Sequence, residues 1–363
     1  SIDTRSGSVN NAAGTMATRG ALTLHAGAVN NEGGALEAKG ALTAFTNGAA
    51  FDNSASARVI GDRIALSTGE LKNNTGLISA KTTSSLRTTA IENHGGAILA
   101  GQSLELVNQG ALNNAAGQIS SGANVKIAST AIDNTAGAIY AGGTLSATAA
   151  TIINAATRDV TVDTHTGPSS MPAGLQGTDV MLLANQSIDN RQGQILARRA
   201  ISGTTPSLSN DAGKIETPGH IKLTGLDAFI NRGDINGGTA VAVHANTIDN
   251  RDTVQSKGNV TVDANTSLKN SGRMIAGGDL TATAGRTRRT TSRTQIPDST
   301  LTAERAFNDQ GMPSTARAAV SNDARNVPAA SQAPSPEGIA TASETVTTDA
   351  AATTDGAMPT DGV

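Results

Sequence analysis

The chain has 363 residues, a formal net charge of −3, 1% aromatic residues, no tryptophan and no cysteine. A compact enzyme-like core of this size draws on aromatic bulk, nucleic-acid partners call for a basic surplus, and disulfides or thiolate metal sites call for cysteine, so none of these is expected. No apolar run reaches the ~18 residues of a membrane span, and an export leader is expected outside this stretch of sequence.

From the first residues onward one phrase recurs. An asparagine with an apolar residue two positions before it falls at Asn11, Asn31, Asn53, Asn73, Asn93, Asn114, Asn134 and Asn154, then at Asn190, Asn210, Asn231, Asn250 and Asn270. The intervals run from 19 to 22, apart from one of 36 after Asn154. A fixed period near twenty marks a stacked architecture. Five positions after the asparagine, with slips of one, stand Met16, Leu36, Ile78, Ile98, Ile119, Ile139, Ile195, Ile215, Ile235 and Ile275. Ten or eleven after it stand Leu22, Leu42, Ile64, Leu104, Val125, Leu145, Ile201, Ile221, Val241, Val260 and Leu280. Within each unit the apolar residues alternate, which is the period of a strand. Each unit therefore reads as three short strands and their turns. Glycine marks the first turn at Gly14, Gly34, Gly76, Gly96, Gly117, Gly137, Gly193 and Gly213, where its tolerance of positive φ is the expected reason.

Such a unit cannot fold alone. Ordering twenty residues costs ~20–40 kcal/mol of backbone entropy, against ~1.5–3 kcal/mol for each inward side chain buried. Stacking resolves the deficit, because each coil hydrogen-bonds to those above and below it. The expectation is an all-β fold, a parallel β-helix (solenoid) of about twenty-residue coils over residues 1–284, on the order of 65 Å long. The repeated asparagines, Asn31 to Asn134 and Asn190 to Asn270 foremost, are expected at a corner as a structural amide ladder.

In chain order, the first interruption is Thr157–Gly177, with Pro168 and Pro172. It reads as an irregular insertion replacing part of a coil, a tolerated excursion. The tripeptide Arg232-Gly233-Asp234 follows Asn231 and is the one candidate receptor-binding site, although the repeat itself generates Asn-Arg and a turn glycine. After Gly285 comes RTRRTTSRTQ, then an Ala/Thr/Ser/Pro-rich stretch, so residues 285–363 are expected to be a disordered tail.

No catalytic, cofactor-binding or metal-ligating set emerges. The histidines His25, His94, His165, His220 and His244 lie on separate coils, and carboxylates alternate with lysine and asparagine. A polysaccharide-active enzyme on a β-helix, which needs clustered carboxylates and a base, is the less favoured reading.

The phrase IDNxxGxIxAxGxLxLxA, nearly whole in Ile91–Leu106 and Ile132–Ala147, resembles the filamentous-haemagglutinin-like exoproteins of two-partner secretion. The resemblance covers roughly Val9 to Ala284. It implies a right-handed β-helix, export through an outer-membrane partner transporter, and a place outside or on the surface of a Gram-negative bacterium. It further implies contact with host or neighbouring-cell surfaces in adhesion, aggregation or biofilm. The alternative within the resemblance is the stalk of a contact-dependent inhibition toxin-delivery protein. Neither a secretion domain nor a toxin is recognised in this stretch, so a shaft segment is expected.

Overall fold

A computed structural model of the chain describes residues 1–163 and 170–285, and beyond them the backbone of the strands Thr287–Ser292, Gln295–Ile296, Ser299–Thr302 and Val320–Ser321. Every regular element among the described residues is a β-strand. The coil around Asn114 is representative, with strands Ala111–Asn113, Gln118–Ser121 and Asn124–Ala128. Each pairs in parallel with its counterpart one coil on, Leu112 with Ile132, Ile119 with Ile139 and Val125 with Leu145. Each also pairs one coil back, with Ile91, Ile98 and Leu104. The fold is a three-sided parallel β-solenoid. The alternation of apolar residues sets its register, because a slip of one residue would turn a whole strand inside out.

The inward residues form one continuous core from Val9 to Ala284. It is an aliphatic column into which two aromatic rings fit, Phe51 and Phe229, both two residues before a corner asparagine. Among the described residues, one inward hydroxyl is left unsatisfied. Ser84 stands between Ile64 and Leu104, is 2% exposed, and its hydroxyl has no hydrogen-bond partner.

In the last coil the inward file shifts by one residue from the expected position. The buried residue of the last coil is Met274, not Ile275. In the coils of Asn231, Asn250 and Asn270 the corner is shorter, so Ile235, Val254 and Met274 stack in one file.

The insertion sits within a single corner. Asn154 opens it, and the parallel register resumes where Gly174 pairs with Ala138 and Leu175 with Ile139. Between them Thr161–Asp163 and Ser170–Pro172 form an antiparallel hairpin, more regular than the loop expected from sequence. Val162 and Ala173 pack with Ala138 in a small satellite core outside the column. His165 and Pro168 lie outside the described residues.

The expected disordered tail also falls mostly outside the described residues. Where its backbone is described, it forms strands. Thr287–Ser292 runs antiparallel to Asp279–Ala284, Gln295 and Ile296 pair with Ile275 and Met274, and Ser299–Thr302 pairs with Ser267–Asn270. The chain thus turns after Gly285 and retraces the last coil backwards along its open edge. That edge would otherwise present a row of unpaired N–H and C=O groups.

Candidate functional site

The corner asparagines form the most regular polar feature. All are buried. Each Nδ2 donates to the Oδ1 of the next coil's asparagine, beginning at 2.6 Å from Asn11 to Asn31 and ending at 2.7 Å from Asn250 to Asn270. The intermediate bonds, through Asn53, Asn73, Asn93, Asn114, Asn134, Asn190, Asn210 and Asn231, measure 2.6–2.9 Å. The bond from Asn154 to Asn190, 2.8 Å long, crosses the insertion without a break. Nδ2 groups also reach backbone carbonyl oxygens, as Asn93 does at Gly96 and Gln118, each 3.2 Å away. The amide dipoles all point one way along the stack, an arrangement in which neighbouring bonds polarise one another.

The glycine three residues after the asparagine is not there for positive φ. The left-handed residue is the one before it, and it is usually not glycine: Ala13, Thr75, Ala116, Ala136, Ala156, Gln192 and Ala212 have φ of 51–57°. The glycine is required by close approach. A Cβ on Gly96 would lie 2.0 Å from the Asn73 carbonyl oxygen and 2.7 Å from Asn93 Oδ1, and Gly76, Gly117 and Gly137 meet the same two groups. The ladder amide and the preceding coil's backbone together leave no room for a side chain.

Sequence reading missed a second polar file at another corner. Thr46, Thr68, Thr88 and Asn108 are buried in successive coils. Thr88 Oγ1 bonds Asn108 Oδ1 at 3.3 Å, and Asn108 Nδ2 donates to Ser129 Oγ at 3.2 Å. The mixture of threonine, asparagine and serine hid a signal visible only as hydroxyl or amide chemistry at a constant offset.

Arg232, Gly233 and Asp234 lie in a strand, paired through Asp211–Arg232 and Lys214–Asp234, not at a loop tip. Arg232 Nη1 lies 3.6 Å from Asp211 Oδ2, and Asp234 Oδ2 lies 3.1 Å from Arg158 Nη2. A Cβ on Gly233 would meet the carbonyl oxygens of Gly213 and Asn210 at 2.4 and 2.5 Å. Arg158, at the start of the insertion, also donates from Nη1 to the Ala212 carbonyl oxygen at 3.0 Å. Its side chain therefore straps two later corners to the one that carries the insertion.

The outer faces carry paired charges. Arg199 hydrogen-bonds Asp179 and holds its carboxyl below the usual range. Burial pushes the Asp189 carboxyl up, but side-chain and backbone hydrogen bonds from Arg191 outweigh it and the net shift is downward. His244 Nδ1 lies 3.0 Å from Asp263 Oδ2 in an exposed pair. Among the described residues no group of three or more His, Asp or Glu is placed to hold a metal ion, and no helix is long and apolar enough to cross a membrane.

Fold and corners together define a repeat protein, a β-solenoid whose regular chemistry is structural and whose variable residues face outward. The haemagglutinin repeat matches five stretches, residues 1–55, 62–116, 107–166, 155–252 and 234–326, and the chain belongs to that family. No curated protein and no solved structure matches it.

Proposed function

We propose that this chain is a shaft segment of a secreted or cell-surface filamentous-haemagglutinin-like adhesin, exported through an outer-membrane partner transporter from a Gram-negative bacterium. One observation carries the reading. A single core and a single amide ladder run through every coil, while titratable side chains are spread along the outside. A stack of this kind provides length and a long outer surface, whereas catalysis needs groups converging on one point. In this reading the Arg232-Gly233-Asp234 charges serve the stack, through Asp211 and Arg158, and not a receptor.

The reading predicts that beads coated with the purified chain adhere to host or neighbouring bacterial cells in a saturable manner, and that Asp234→Glu adheres equally well. Absence of adhesion by the coated beads would favour the alternative, a passive stalk that holds a toxin away from the cell.

A further inference from the structure

Outward residues also stack in files. One file, followed through paired strands, reads His25, Phe45, Ser67, Arg87, Val107. The His25 and Phe45 rings are stacked, with centroids 5.0 Å apart and planes 17° apart. That separation nearly equals the rise between neighbouring strands, so the rings lie face to face across the stack. At Ser67 the file has no ring. Arg87 follows one coil later, its side chain 60% exposed.

Phe45 and Arg87 are thus two coils apart, ~9.6 Å by the ordinary strand spacing. A flat ring in contact with both at ~3.5–4 Å needs only ~7–8 Å, so the space takes the thicker, puckered ring of a sugar. The space is a groove of about 390 Å³, with Phe45, Ser67 and Arg87 among its lining and Asn47, Thr89 and Gln109 beside them. Its wall arises from the long interval between Asn31 and Asn53, where the corner bulges through Asn47 and Gly48, both at positive φ.

We infer that this groove is a binding slot for a pyranose ring bearing a carboxylate, seated over Ser67 between Phe45 and Arg87. The inference rests on the adhesin reading and names a ligand class for it. The exposed ring face of Phe45 takes the C–H face of a sugar, whose positive edge suits the negative π-face. Asn47, Thr89 and Gln109 supply the amide and hydroxyl groups that ring hydroxyls need. Arg87 supplies the cation. Its present partner, Glu105, lies 3.5 Å away and is also held by Lys126 at 3.1 Å, so Glu105 keeps a counter-charge when Arg87 turns to a ligand.

The test is saturation-transfer NMR titration of the full chain with glucuronate and, in a second arm, N-acetylneuraminate. Glucose and benzoate serve as controls, lacking respectively the charge and the hydroxyls. This reads direct ligand contact and is independent of cell adhesion. Saturable binding of at least one acidic sugar is expected, and the arm that binds names the source. Phe45→Ala and Ser67→Phe should abolish it with an unchanged circular dichroism spectrum and melting temperature, the second by filling the vacant layer. Arg87→Gln should weaken it about tenfold, the scale of one charge-assisted bond. No saturable binding of either acid overturns the inference. So does binding unchanged in Ser67→Phe, or glucose or benzoate binding as tightly as the acidic sugar.

Discussion

At the scale of single residues, two adjacent glycines separate conformational freedom from space. Gly95 has φ of +59°, and its nearest neighbour for an added Cβ is 3.7 Å away. Other coils place alanine at the same point, Ala116 and Ala136, with nearly the same φ. Gly95→Ala should therefore cost no more than ~1–2 kcal/mol, the left-handed penalty. Gly96→Ala drives a methyl group into the Asn73 carbonyl and should cost more than ~3 kcal/mol, as severe overpacking does. Urea denaturation of the two variants measures the difference, and equal losses would contradict the close-approach account. Ser84 allows the opposite kind of change. Its buried hydroxyl has no partner, so Ser84→Ala should raise the denaturation midpoint by the equivalent of ~1 kcal/mol, the lower end of what an unsatisfied buried polar group costs. An unchanged or lowered midpoint would mean that the hydroxyl is hydrogen-bonded in solution.

At the scale of elements, much was legible in the sequence because the strands obey a strict period. The apolar files through Ile119, Ile139 and Val125 and the Asn ladder follow from spacing alone. What was not legible depends on distances between coils. The role of Gly96 appears only when the preceding coil is in place, and Arg158 meets Asp234 across 76 residues. Met274 replaces Ile275 because a corner shortened, which no local pattern announces. The reversed strands after Gly285 carry no apolar alternation in TRRTTS, and their pairing comes from the open edge they cover. Truncation after Gly285 should accordingly expose that edge and cause self-association in light scattering, while truncation after Thr302 should leave the protein monomeric. Identical behaviour of the two truncations would remove any capping role. Between neighbouring coils, the Asp179–Arg199 pair predicts a pH effect of definite sign. Folding lowers the Asp179 pKa from its ordinary 3.8. The stability it adds is therefore complete above that value and is lost as pH falls through the lower, folded value. The melting-temperature gap between wild type and Asp179→Asn should be full at about pH 5, where aspartate is ionised, and should close in acid. A gap that widened in acid would reverse the sign.

For the stack as a whole, separation along it is set by the number of coils, not by the number of residues. The outward positions Thr43, Lys126 and Thr261 belong to one file, joined through ten successive strand pairings. Thr43 and Lys126 are four coils apart, and Lys126 and Thr261 six, the second span including the insertion. The chain contains no cysteine, so spin labels can be placed at introduced cysteines without removing native ones. Pulsed electron–electron resonance on the three pairs should give about 19 Å for 43–126, about 29 Å for 126–261 and about 48 Å for 43–261, at ~4.8 Å per coil. The last distance should equal the sum of the first two. Distances that fail to add, or a 126–261 separation lengthened by the insertion, would contradict the stacked solenoid on which the rest of the account depends.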